Sequence, residues 1–148
     1  MIRFAKNEAI IPLTEYMTEV IMSITWEVEY TNEFEGWWHS LAEKEQVCVD
    51  ASVRLLELLG PSLKFPYSSG VKGSRHGHMR ELRIQFCGRP LRTLYAFDPR
   101  RRAILLIGGD KTGNDRWYEE YIPIADDLYD QYIDELRKEG LLDGQEVL

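Results

Sequence analysis

An α+β fold follows from three features of the sequence. A strand-type alternation begins near residue 24, two helical segments follow it directly, and three further strands precede a last helix. The order β-α-α-β-β-β-α describes a small, mainly antiparallel sheet packed on helices. With 148 residues, 44% of them hydrophobic and 29% charged, the chain is long enough for one compact core and short for two.

Residues 1–21 read as an N-terminal extension, mixing Pro12 and scattered acids with a helical turn expected around Thr14–Met22. The compact pattern starts after Met22, a candidate natural start, and residues 22–140 form the expected domain, followed by a tail over 141–148. Ile24, Trp26, Val28 and Tyr30 alternate with Thr25, Glu27, Glu29 and Thr31, which predicts a half-buried strand. Asn32 with Glu35 gives a capping signature for a short helix carrying Phe34, Trp37, Trp38 and Leu41, whose tryptophans are read as packing residues. A second helix is expected over Glu43–Leu59, with Val47, Ala51, Leu55, Leu58 and Leu59 on its apolar stripe and Gly60-Pro61 ending it.

Residues 61–78, rich in Pro, Gly and Ser, read as a loop. In the next strand Leu82, Ile84 and Phe86 face one way and Glu81, Arg83 and Gln85 the other. The turn Cys87-Gly88-Arg89-Pro90 leads into a strand over Leu91–Phe97. Asp98-Pro99-Arg100-Arg101 turns the chain again into Ala103–Ile107, a run without polar alternation that suits a strand buried on both faces. After the Gly108–Gly113 loop, helical signals resume at Asn114, are punctuated by Pro123, and continue through Ala125, Leu128, Tyr132, Ile133 and Leu136 to Gly140.

The net charge of −7 is unevenly spread. Residues 64–111 hold eleven basic residues against three acids, Glu81, Asp98 and Asp110, a net of +8 that leaves −15 for the remainder. Such a basic middle between acidic ends is able to bind phosphate backbones, or else is a solvated arginine-rich sheet face. Cys48 and Cys87 are too few for a disulfide framework, and Cys48 is read as a buried thiol. No apolar stretch nears the roughly 20 residues of a membrane span. The N-terminus also lacks the basic start and small-residue cleavage site of a secretory signal, so a cytoplasmic protein is expected.

Glu81-Leu82-Arg83, Gly88-Arg89-Pro90-Leu91-Arg92-Thr93-Leu94-Tyr95-Ala96-Phe97, and Leu106-Ile107-Gly108-Gly109-Asp110-Lys111-Thr112-Gly113 are linked motifs in one order. Together with Arg116-Trp117-Tyr118 and Ile122-Pro123-Ile124-Ala125, they resemble the RelE/ParE superfamily of toxins in its HigB-like, phage-derived (Gp49-like) branch. The resemblance covers about residues 22–140 and is densest from 79 to 130. It implies the RelE/ParE-like fold and the toxin of a type II toxin-antitoxin system, partnered by a small antitoxin of helix-turn-helix type. It also implies cleavage of mRNA, commonly on the ribosome. The alternatives are a ParE-like gyrase inhibitor and a non-catalytic antitoxin-binding module of phage origin. Arg92 matches the family's strand arginine, Lys111 the basic residue at the end of the last strand, Tyr118 the aromatic position just after it, and Arg83 a basic residue of the preceding strand.

Cleavage of this kind needs no metal or cofactor, since the 2′-hydroxyl of RNA attacks its own phosphate and leaves a cyclic phosphate. Arg83 and Arg92 are expected to hold the phosphate, because an arginine fork matches two phosphate oxygens and keeps its charge. Lys111 would assist by charge or proton transfer, and Tyr118 would orient RNA or move a proton, with neighbouring cations lowering the pKa of both. Arg92→Ala is expected to reduce cleavage and leave the fold intact. Lys72, Arg75, Arg89 and Arg116 are candidates for RNA contact, and Trp117 for stacking a base. His76-x-His78 reads as a mobile loop pair or a proton shuttle, and two ligands do not make a zinc site. Asp110 is expected to orient Lys111. The Gly108–Gly113 loop lacks the Walker A spacing.

Overall fold

The computed structural model describes residues 25–142, the backbone of Ile2–Arg3, and Thr14, Glu15 and Met17. Most of the turn expected around Thr14–Met22, and Ile24 of the first strand, lie outside the described residues. The elements are β1 (Ile2–Arg3), β2 (Val28–Tyr30), α1 (Asn32–Ser40), α2 (Glu43–Leu59), a 3-10 turn (Gly60–Ser62), β3 (Ser68–Gly70), β4 (Arg80–Phe86), β5 (Arg89–Phe97), β6 (Ala103–Asp110) and α3 (Trp117–Lys138). The sheet order is β1-β2-β6-β5-β4-β3, and only β2 and β6 run parallel. This is the expected α+β arrangement with two short edge strands added. Ile2–Arg3 pair with β2, and Ser68–Gly70, inside the expected loop, pair with β4.

Helices cover both faces of the sheet. On one, Phe34 of α1 and Val49, Val53 and Leu56 of α2 pack on Val28, Leu82, Ile84, Leu91, Tyr95, Ala103 and Leu105. On the other, Trp117, Ile122, Ala125, Leu128, Tyr129, Tyr132, Ile133 and Leu136 of α3 pack on Met79, Leu94, Ala96, Ile104 and Leu106. The central strands β5 and β6 are therefore buried on both sides, as the unbroken apolar run of β6 requires. A bulge between Leu94 and Tyr95 pairs Leu94 with Ile107 but Tyr95 with Leu105. The extra residue lets Leu106 and Ile107 both meet the α3 side, and it sets the phase of the strand end that carries the glycines.

Four local expectations need correction. The cap of α1 is Thr31, one residue earlier than expected, and its Oγ1 accepts the Phe34 N–H at 3.0 Å. On α2 the buried stripe is Val49-Val53-Leu56, whereas Val47, Leu58 and Leu59 are 64%, 56% and 42% exposed. The helix carries apolar residues on two faces, and periodicity alone did not choose between them. The final helix begins at Trp117, not Asn114, and runs unbroken through Pro123. Finally, β2 is buried on both faces, because Glu29 points under α3. There Tyr132 Oη lies 2.6 Å from Asp98 Oδ2 and 3.1 Å from Glu29 Oε2 and accepts from Arg100 Nη2 at 2.9 Å. Burial, reinforced by these carboxylates, pushes the Tyr132 phenol far above its ordinary pKa.

Candidate active site

Strand alternation builds one side of the site. Glu81 and Arg83 lie on the α3 face of β4, and the register puts Arg92 of β5 directly opposite Arg83. Arg92 in turn neighbours Gly109 of β6. The ladder continues one residue past β6, where the Lys111 N–H donates to Pro90 O at 2.9 Å and brings Lys111 beside Arg92.

Two consecutive glycines fix where α3 starts. A Cβ at Gly108 would run into the Trp37 ring from the α1 side, and one at Gly109 would stand 2.7 Å from Trp117 Nε1 on the other. Only a bare backbone lets both indoles close on this strand end. Trp117 is 1% exposed, so its neighbour Tyr118 is delivered over the end of the sheet.

These elements converge on Glu81, a carboxylate only 4% exposed. Tyr118 Oη donates to Glu81, 2.7 Å from Oε1 and 3.0 Å from Oε2. Arg92 Nε stands 3.0 Å from Glu81 Oε1, and Arg83 Nη1 is 3.8 Å from the same oxygen. Lys111 Nζ donates to Tyr118 Oη at 3.2 Å and sits 4.6 Å from the centre of its ring. Arg92 is 4% exposed and its Nη1 is further held by the Leu91 carbonyl at 3.0 Å. The result is three cations around one carboxylate, with a phenol bridging Lys111 and Glu81.

The electrostatics separate the two proton-bearing groups. Burial, followed by the charges of Arg92 and Arg83, lowers the Lys111 pKa against the opposing pull of Glu81. Tyr118 moves the other way. Burial and its hydrogen bond to Glu81 raise its pKa, and Arg92 offsets this only in part. The expectation that cations would lower both is thus met for Lys111 alone, because at Tyr118 burial and the adjacent Glu81 carboxylate outweigh Arg92.

Sequence reasoning assembled Arg83, Arg92, Lys111 and Tyr118 correctly as neighbours but gave Glu81 no role. The available signal was an acid inside a basic stretch, two residues before Arg83 on the same strand face. Arg92 is expected to hold the phosphate and to be removable without loss of the fold. It is instead buried against Glu81, so removing it takes the nearest cation from a buried carboxylate.

The other basic candidates are mostly engaged elsewhere. Arg75 pairs with Asp127 and Asp130, more than two turns along α3 from Tyr118. Arg89 bridges Glu45 and Asp110, and Arg116 meets Glu119 at 3.0 Å. Lys72 is exposed. Trp117, being buried, has no face to offer a base. Asp110 accepts from Thr112 N at 2.8 Å and pairs with Arg89 rather than orienting Lys111. The two histidines both reach α3. His76 Nε2 is 2.8 Å from Asp130 Oδ1 and His78 Nε2 is 3.2 Å from Tyr129 Oη, which clasps their loop to α3. Burial, with the neighbouring His76, lowers the His78 pKa. Among the described residues no group of three His, Cys, Asp or Glu side chains could hold a metal, and no helix is long and apolar enough to cross a membrane.

The fold is thus a three-layer α+β domain that carries a cluster of cations around one carboxylate at its sheet end. The chain belongs to the family of the phage-derived protein Gp49-like (DUF891), whose pattern matches residues 36–130. It is 42% identical over 102 residues to "Putative toxin HigB3" of Mycobacterium tuberculosis, an alignment covering 68% of this chain and 88% of that protein. It is 37% identical over 113 residues to "Putative toxin HigB2" of the same organism, covering 75% of this chain and 56% of that protein. The resemblance to the HigB-like, phage-derived branch therefore holds.

Proposed function

We propose that this protein is the toxin of a type II toxin-antitoxin system and that it cleaves mRNA on the ribosome without a metal. The observation that carries the reading is the cluster of Arg92, Arg83, Lys111 and Tyr118 around Glu81 at one sheet end. The names of its relatives support the toxin role.

In this reading the scissile phosphate docks on Arg83 and Lys111, the partly exposed cations of the cluster, and the buried charge of Arg92 behind them adds to the stabilisation of the phosphorane-like transition state. The 2′-oxygen forms a bond to phosphorus while the P–O5′ bond breaks. The 2′-hydroxyl proton passes to the Tyr118 oxygen as the phenol gives its own proton to Glu81, and Lys111, made more acidic by its surroundings, protonates the departing 5′-oxygen. The Tyr118 hydroxyl touches both groups, so it passes the proton from Glu81 back to Lys111 and resets the site. A phenol with a raised pKa suits this role, because it stays protonated between transfers. The expected partner is a helix-turn-helix antitoxin.

The test is induction of wild type, Arg92→Ala and Arg92→Lys in bacterial cells, followed by primer extension on an abundant message. Arrest with new internal cuts, lost in both folded variants, is expected. Arrest without cuts would replace this reading with a gyrase-directed toxin, and no arrest would leave a binding module.

A further inference from the structure

The turn that leads into β3 leaves two large rings on the surface, Phe65 and Tyr67, 70% and 53% exposed. The turn itself is set by the carbonyl of Lys64, an exposed cation, which accepts the N–H groups of Tyr67 at 3.0 Å and Ser68 at 3.1 Å.

Both residues connect to the candidate active site, Phe65 through its ring and Tyr67 through its backbone. The Arg83 guanidinium carbon lies 5.0 Å from the centre of the Phe65 ring, so one edge of the cationic cluster is already stacked on an aromatic surface. The Arg83 N–H donates to the Tyr67 carbonyl at 2.9 Å, which makes Tyr67 the residue opposite Arg83, one step before β3. Opposed residues share a sheet face. Ser69, two positions on, confirms the parity, since its Oγ is 3.4 Å from Glu81 Oε2. Tyr67, Ser69, Glu81, Arg83 and Arg92 therefore share the face that bears the site.

We propose that Phe65 and Tyr67 form a stacking platform for the nucleobases that flank the scissile phosphate of single-stranded RNA. The proposal rests on the ribonuclease reading and adds to it a base-binding subsite. A base unstacked from its strand presents a flat π-face that an aromatic ring accepts whatever the base, while arginine beside the ring holds the adjoining phosphate. The platform makes recognition tolerant of sequence at these positions. Trp117, the ring expected in this role, is closed off in the core.

The test uses ribosomes programmed with a message that carries a 2′-O-methyl group at the cut site and 2-aminopurine beside it. Wild type should bind and quench the 2-aminopurine fluorescence by stacking. Phe65→Leu and Tyr67→Leu should each weaken binding about tenfold and relieve the quenching, as loss of a stacked base implies. Phe65→Trp should keep both. Leucine variants that bind and quench like wild type would overturn the platform alone and assign the rings to a protein contact. Failure of the wild type itself to bind the message would remove the ribonuclease reading and the platform together.

Discussion

At the scale of single residues, Arg92 and Glu81 form the decisive pair. Both side chains are 5% exposed, so neither charge can turn to water if the other is removed. Arg92→Ala should lower cleavage by about a hundredfold or more, as loss of a preorganised transition-state donor does. It should also cost about 3 kcal/mol of stability, because the buried Glu81 loses its nearest cation and keeps only the Tyr118 hydroxyl and the more distant Arg83. Denaturant unfolding checks the second effect, and the double variant Arg92→Ala with Glu81→Gln should recover much of the stability but none of the activity. Lys111 supplies a pH test. An ammonium whose pKa is lowered loses its proton below the ordinary lysine range, so activity that needs that proton should fall as pH rises through the lowered value. Lys111→Arg, which does not deprotonate, should remove that alkaline limb from the pH–rate profile of whatever activity remains. A limb unchanged by the substitution would take Lys111 out of the proton path.

Elements position these residues, and here the glycines matter more than the side chains they separate. Gly109→Ala would push against Trp117 Nε1, shifting the start of α3 and with it Tyr118. Overpacking of this kind should cost about 1–3 kcal/mol, and the loss of cleavage should exceed what the loss of folded protein explains. Thermal unfolding and a cleavage rate measured on the same preparation separate the two. At the far end of α3, Tyr132→Phe should destabilise the protein by about 1–3 kcal/mol, because Asp98 and Glu29 lose a buried partner. Cleavage should be unchanged, since about four helical turns separate Tyr132 from Tyr118. The strand alternation and the buried run of β6 were legible in the sequence because periods of two and long apolar runs have few other readings. The face of α2 was not legible, since Val47-Ala51-Leu58 and Val49-Val53-Leu56 are equally regular stripes and only the sheet decides. Nor was β3, whose Ser-Ser-Gly carries no pattern and exists because β4 offers it a ladder.

For the whole molecule, the contrast between a basic middle and acidic ends does not survive folding as a broad patch. Arg75, Arg89, Arg100 and Arg102 of the middle pair with Asp130, Glu45, Glu29 and Glu27 from the ends. Sequence separation hid these neutralising contacts, while the motif residues of the site were visible because they fall on short, adjacent strands. Glu81 was overlooked because charge counting treats an acid among bases as noise. One consequence is a modest salt dependence. Single-stranded RNA held by Arg83, Arg92 and Lys111 should show a slope of log affinity against log salt of about −2, where the full set of eleven basic residues would give a far steeper one.

The central claim, cleavage by the RNA's own 2′-hydroxyl on this cluster, is tested most directly by end-group analysis of a message cut on programmed ribosomes. One message carries ribose at the cut site and the other a 2′-deoxy nucleotide. The account predicts a 2′,3′-cyclic phosphate on the upstream fragment and no cut at the deoxy position. A free 3′-hydroxyl, or cutting that ignores the missing 2′-oxygen, would contradict it.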